Sequence, residues 1–151
     1  MHKKLLITLL SVILILNACS VLNQKLGNEP PQPKLTADGK QIKIYQSSYC
    51  WGSKCVDYIG PNEMLKDKEK DKIKGNTTIS IQFEGKQPTE LGLAIFNQDE
   101  ITHETITDNQ FKAPDTKGIY YFNLSANWLR DKDKRITEGS SSYAFAIEVL
   151  D

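Results

Sequence analysis

Three cysteines are the most reactive side chains of this 151-residue chain. Cys50 and Cys55 flank the turn signal Gly52-Ser53 and have four residues between them. A Cys-x-x-Cys redox motif has two intervening residues, and a zinc site needs further ligands. His103 is the only histidine outside the N-terminal stretch. We therefore interpret Cys50 and Cys55 as a disulfide that closes a short hairpin, with a redox pair or a metal site as the alternatives.

The other side chains that could support catalysis do not form a recognisable site. His103 lies in a polar, threonine-containing segment, which is typical of a surface histidine. Asp131 and Asp133 have the spacing of calcium-loop ligands, but the glycine and the later acidic ligand of such a loop are missing. The sequence also has no glycine-rich phosphate loop. We expect no catalytic residues, no metal site and no cofactor, and hence no enzyme.

Aromatic residues gather around the predicted hairpin and form a candidate binding patch. They are Tyr45, Tyr49, Trp51 and Tyr58. The first three share one strand parity, and Ile42 and Ile44 share the other. If the isoleucines face the core, the rings are exposed on a rigid turn, where aromatic anchors favour binding. The alternative is that the rings pack beneath the N-terminal segment, or that the alternation breaks at Cys50.

The N-terminal residues predict export and a lipid anchor. A basic start, Met1-His2-Lys3-Lys4, precedes an apolar run of about a dozen residues, the length of a signal core. Such a run is too short to span a bilayer, which takes about 20 residues. The next residues, Leu16-Asn17-Ala18-Cys19, resemble the bacterial lipoprotein signal. That resemblance implies removal of residues 1–18 and a diacylglyceryl group on Cys19; the alternative is an ordinary signal peptide with a chance cysteine.

This signal places the protein on the extracytoplasmic face of the cell membrane, and two acyl chains would hold it there stably. Exported cysteine pairs are usually oxidised, which favours the disulfide between Cys50 and Cys55. Without residues 1–18 the chain has 17 basic and 19 acidic residues, because Lys3 and Lys4 are lost with the signal. That balance gives no indication of nucleic-acid binding.

Residues 19–40 have the composition of a linker, with Pro30, Pro31 and Pro33 at its centre. Such a segment is extended and fairly stiff, so we expect it to lift the domain off the membrane. The remaining residues, 41–151, are enough for one domain.

Alternating apolar residues predict that this domain is all-β. The clearest strand is 118–128, and others are predicted at 143–149, 41–49, 77–84, 91–95 and around Phe111, with a weaker edge strand at 100–106. Residues 60–66 could form one helical turn, whereas 66–74 and 130–142 have the composition of polar loops. About seven strands indicate an antiparallel, immunoglobulin-like β-sandwich, and the stretch 115–120 resembles the approach to a tyrosine corner at Tyr120.

Several aromatic and turn segments are similar to those of small, uncharacterised lipoproteins of low-GC Gram-positive bacteria such as Bacillus. These segments are Ser48-Tyr49-Cys50-Trp51, Gly118-Ile119-Tyr120-Tyr121, Trp128 and Ser142-Tyr143-Ala144-Phe145. The resemblance covers most of residues 41–150. It implies the fold and the location but no activity, because the members of this group are uncharacterised.

Two functions are consistent with these features. The first is a membrane-anchored binding or sensing module without catalysis, whose partner would be a cell-envelope protein or a wall ligand. The second is an inhibitor or accessory subunit of an exported enzyme such as a protease.

Overall fold

The computed structural model describes residues 26–151. The predicted signal sequence, Cys19 and the first residues of the predicted linker lie outside this range. The described part contains eleven strands and one short helix, so the all-β prediction is confirmed. The strands are β1 (Pro33–Ala37), β2 (Lys40–Ile42), β3 (Ile44–Trp51), β4 (Lys54–Val56), β5 (Asp71–Lys74), β6 (Thr78–Phe83), β7 (Glu90–Asn97), β8 (Glu100–Glu104), β9 (Gln110–Lys112), β10 (Gly118–Asp131) and β11 (Ile136–Leu150). The helix is α1 (Pro61–Leu65).

Two sheets pack face to face. The small sheet has four strands in the order β2-β1-β6-β9. The large sheet has seven strands: six in the order β4-β3-β11-β10-β7-β8, with β5 attached to β11. The β5–β11 pair is parallel and all other strand pairs of residues 26–151 are antiparallel. The sandwich is confirmed, but it has more strands than the predicted seven. The additional strands β1, β2, β4 and β5 have only three to five residues each, too few to show a clear alternating pattern.

The core follows the two longest strands as predicted. The inward residues of β10 and β11 are almost completely buried: Tyr120, Phe122, Leu124, Ala126 and Trp128 on β10, and Tyr143, Phe145, Ile147 and Val149 on β11. Phe122 lies directly opposite Phe145, and their rings stack with centroids 4.5 Å apart. The tyrosine-corner contact is also present, since the Tyr120 hydroxyl donates to the Thr116 carbonyl oxygen over 2.9 Å.

The N-terminal boundary of the domain differs from the sequence-based expectation. Residues 33–37, which the composition assigns to the linker, form β1 between β2 and β6, and Leu35 is fully buried. Pro33 is tolerated because it occupies the first position of the strand. The expected tether is therefore shorter, and most of its prolines belong to the folded domain.

Both predicted polar loops are shorter than expected. β5 begins at Asp71 and pairs with residues 147–150 of β11, and the Lys43 amide donates to the Asp71 carboxylate over 2.7 Å. β11 begins at Ile136, so the turn after β10 spans only residues 132–135. The prediction of a loop through residue 142 was wrong because the serines at 140–142 are polar yet extended.

The predicted helical turn is present as α1, with Pro61 at its first position, where the missing N–H is harmless. Leu65 of α1 is 1% exposed and packs on Ala144 and Ala146, which point out of the large sheet. Part of the outer face of that sheet is thus covered by α1, and the rest of it carries the groove described below.

Candidate functional site

The predicted aromatic patch depends on the alternation along β3, which an inserted residue interrupts. Gln46 pairs with Tyr143 of β11, but Tyr49 pairs with Ser141, so two β3 residues oppose one of β11 between these pairs. Such a β-bulge moves the following side chains to the other face. As a result Tyr45 lies on the outer face near α1, while Tyr49 and Trp51 lie on the inner face.

Trp51 belongs to the core, so the prediction that it is exposed was wrong. Its side chain is 5% exposed, and its ring meets that of Trp128 edge-on with centroids 4.9 Å apart. The indole Nε1 donates to the Gly27 carbonyl oxygen over 2.7 Å. Trp51 thus packs beneath the N-terminal segment, which was the alternative interpretation.

The three tyrosines of the patch do not form one surface. Tyr45 packs beside α1, where the Lys68 ammonium lies 5.8 Å from its ring centroid. Tyr49 is half-buried, and a hydrogen bond to it raises the pKa of Lys54, whose ammonium lies 5.7 Å from the Tyr49 ring centroid. Tyr58 is 49% exposed. The structure therefore does not assemble the predicted four-ring patch.

The predicted disulfide is present and closes the β3–β4 hairpin. Cys50 and Cys55 face each other in the strand register, with Cα atoms 4.1 Å apart. Gly52 adopts a φ of +60°, a conformation that glycine tolerates in tight turns. The disulfide ties β3 to β4 next to the part of the large sheet's outer face that α1 leaves uncovered.

That open face carries a groove of about 290 Å³, which we call the serine groove. Its lining is formed by Ser48, Ser125, Asn127, Ser140, Ser142, Asp57 and parts of Tyr49, Cys50 and Ser141. The main lining residues lie on β3, β11 and β10, which are adjacent in the large sheet. The groove exists because these positions on the outer face of the sheet carry small side chains, whereas exposed strand positions often carry long ones.

Hydrogen bonds hold the groove lining in place. The Ser48 hydroxyl accepts from the Tyr58 amide over 2.9 Å, and the Ser142 hydroxyl donates to the Ser48 carbonyl oxygen over 3.1 Å. The Ser125 hydroxyl donates to the Gly92 carbonyl oxygen on the neighbouring strand over 3.2 Å. Within residues 26–151, the side chains of Asn127 and Ser140 make no hydrogen bond and remain free to meet a ligand.

One side of this groove can be predicted from the sequence of β10. Ser125 and Asn127 alternate with Leu124, Ala126 and Trp128, so their outward direction follows from the parity of β10 alone. The partners Ser140 and Ser142 escape such a prediction because their segment has the composition of a loop.

A second depression, of about 340 Å³, lies beside the edge strands β8 and β9. Its floor includes Ile95, Ala113 and Tyr120, and its rim includes Glu100, Glu104 and Asp115. Inward-pointing charges on an edge strand are a common protection against edge-to-edge aggregation. Because this explains the acidic residues of β8, we take the serine groove as the candidate site.

The remaining candidate groups are on the surface. His103 is exposed on β8, in agreement with its prediction as a surface histidine. Asp131 accepts from the Lys134 amide over 2.9 Å in the turn between β10 and β11. Residues 26–151 contain no group of three His, Cys, Asp or Glu side chains that could hold a metal ion.

No helix among the described residues is both long and apolar enough to cross a membrane. Comparison with protein-family models, with curated proteins and with solved structures finds no match for this chain.

Proposed function

We propose that this chain is a lipoprotein held on the extracytoplasmic face of the cell membrane, and that it acts as a non-enzymatic binding module. The observation that carries the proposal is the serine groove, an open site of about 290 Å³ on the central strands of the large sheet. Its volume is near the lower limit of small-ligand pockets, about 300 Å³. The residues Leu16-Asn17-Ala18-Cys19 support the anchor.

Rigidity favours a binding role for this groove. Its strands pair along their length, the Cys50–Cys55 disulfide closes the hairpin at its side, and hydrogen bonds fix Ser48, Ser125 and Ser142. A preformed site avoids much of the ordering cost that weakens association.

The N-terminal segment supports a site close to the membrane. The Gly27 carbonyl oxygen accepts a hydrogen bond from Trp51, and the Pro31 carbonyl oxygen accepts one from Tyr143. The described chain therefore begins at the end of the sandwich where β3 meets β4. Ser140 lies at the same end, since its neighbour Gly139 pairs with Trp51. Seven residues from a lipidated Cys19 to Leu26 would reach at most about 25 Å.

A capture experiment tests the binding function. The full-length protein, extracted in detergent, is immobilised and exposed to solubilised cell envelope, alongside the variants Ser140→Arg and Ser80→Arg. Ser80 is the matched control because it faces outward on β6, in the other sheet. We expect Ser140→Arg to lose a component that the wild type and Ser80→Arg retain. Equal capture by all three proteins would contradict the proposal, and an exported protease among the retained components would favour the inhibitor or accessory-subunit function instead.

The anchor is tested separately with Cys19→Ser. We expect the variant to incorporate no labelled palmitate and to leave the membrane fraction, because the thiol is the proposed lipid acceptor. Wild-type labelling of the variant would show that Cys19 is not lipidated.

A further inference from the structure

We infer that the serine groove binds an uncharged, hydroxyl-rich stretch of an extended polysaccharide. The inference rests on the proposed binding function and names the class of ligand. It follows from three properties of the lining: its charge, the size of its side chains and its open shape.

The charge of the lining argues against ionic ligands. No lysine or arginine lines the groove, so a phosphate-rich or carboxylate-rich polymer would lose its hydration without gaining an ionic partner. Asp57 is the only carboxylate of the lining, which is too little to select a strongly cationic peptide. The other polar groups are neutral hydroxyls and one amide, and these both donate and accept hydrogen bonds.

A hydroxyl-rich ligand needs partners that both donate and accept hydrogen bonds. Each sugar hydroxyl is at once a donor and an acceptor. The Ser140 hydroxyl can do both, whereas the hydroxyls of Ser125 and Ser142 already donate within the protein and offer acceptor lone pairs. Asn127 adds an amide with two donors and an acceptor oxygen, and Asp57 adds acceptors for ligand hydroxyls. The free side chains of Asn127 and Ser140 lie on neighbouring strands in direct register, so one ligand unit would meet both.

The shape of the groove suits a chain that passes across it. The lining spans three adjacent strands, β3, β11 and β10, which amounts to roughly 10 Å at about 4.8 Å between strands. Small serine side chains let the ligand approach the sheet closely.

Calorimetry with defined probes tests the inference. The full-length protein in detergent is titrated with the neutral tetramer of N-acetylglucosamine, with an anionic poly(glycerol phosphate) and with a lysine-rich peptide. We expect heat of binding only with the tetramer. Asn127→Ala should weaken it about two- to tenfold, the equivalent of one hydrogen bond, and Ser140→Arg should weaken it more than about tenfold by filling the groove. Ser80→Arg should leave the affinity within about twofold of the wild type, since Ser80 faces away from the groove on the other sheet.

The outcomes separate this inference from the proposed function. Binding of the anionic polymer or of the peptide, weakened by Ser140→Arg, would overturn the glycan assignment and leave the binding function in place. Tetramer binding that Ser140→Arg and Asn127→Ala leave unchanged would overturn the groove as the site. An absence of tetramer binding, in a protein whose envelope capture still depends on Ser140, would also overturn the glycan assignment alone. Equal thermal midpoints for wild type and Ser140→Arg would exclude misfolding as the reason for a loss.

Discussion

Trp51 connects the N-terminal segment to the core through a single side chain. Its indole N–H satisfies the Gly27 carbonyl oxygen, and its ring packs against Trp128. The ring also lies on the backbone of Gly139, where a Cβ atom would collide with it. The position of Trp51 is therefore fixed by a hydrogen bond, an aromatic contact and a glycine that leaves room for the ring.

Replacing this ring should destabilise the domain without directly changing the groove. Trp51→Ala should lower the free energy of unfolding by about 3–5 kcal/mol, as for other buried large aromatic residues. Trp51→Phe is the matched variant, because it keeps an aromatic ring and loses the N–H, and it should cost less. Urea denaturation followed by circular dichroism measures both. An unchanged midpoint for Trp51→Ala would place the ring outside the core.

Tyr143 makes the second link to the N-terminal segment, and its stability contribution depends on pH. The side chain is fully buried and its hydroxyl donates to the Pro31 carbonyl oxygen over 2.5 Å. Burial raises the pKa of Tyr143 from 10.0 to about 12. Since the raised pKa belongs to the folded state, the contribution is complete below pH 10 and is lost as the pH rises to 12, at about 1.4 kcal/mol per unit.

Tyr143→Phe isolates this contribution from the other groups that titrate at high pH. At pH 8 the variant should be less stable than wild type by about 1 kcal/mol, the net value of one hydrogen bond. The difference should disappear near pH 11, because only the wild type loses stability through this hydroxyl. Denaturant midpoints of both proteins at pH 8 to 11 give the comparison, and a constant difference would refute the assignment.

At the scale of elements, β1 shows why the N-terminal boundary was misplaced. Its sequence, Pro-Lys-Leu-Thr-Ala, has one large apolar residue, and composition alone assigns it to a linker. The burial of Leu35 comes from pairing with β6, more than forty residues later in the chain. Long-range pairing of this kind leaves no local pattern in a five-residue strand.

Leu35→Ala tests whether β1 belongs to the folded domain. A fully buried leucine should cost about 2–5 kcal/mol when truncated, whereas a linker residue should cost almost nothing. Lys34→Gln is the control, because Lys34 lies on the exposed face of β1 and solvent screens its surface ion pair with Glu84. Similar unfolding midpoints for both variants would show that β1 is part of the linker rather than of the folded domain.

Those elements that the sequence predicts well carry their information locally. The strands β10 and β11 alternate over many residues, so their inward faces were predicted correctly, and the Cys50–Cys55 hairpin follows from two cysteines around a turn. The bulge in β3 gives no such local sign, and it moves Tyr49 and Trp51 to the inner face. The serine groove joins residues from three strands, and only the Ser125–Asn127 side of it can be derived from alternation.

At the scale of the whole molecule, the described chain begins at the end of the sandwich that carries the proposed site. The segment from Leu26 to Pro31 is held against Trp51 and Tyr143, and the serine groove opens on the outer face close to that end. A lipidated Cys19 would therefore keep the groove near the membrane surface, where it would meet the envelope polymers that lie next to the membrane.

Site-specific photo-crosslinking in the native membrane tests the groove as a binding site most directly. A photoreactive residue replaces Asp57 at the exposed edge of the groove or, as a control, Ser80 on the opposite sheet, and the irradiated protein is examined for shifted bands. We expect a crosslinked product from position 57 that Ser140→Arg abolishes and Asn127→Ala reduces, and none from position 80. Equal products from both positions, or none from position 57, would contradict the claim that the serine groove binds a ligand.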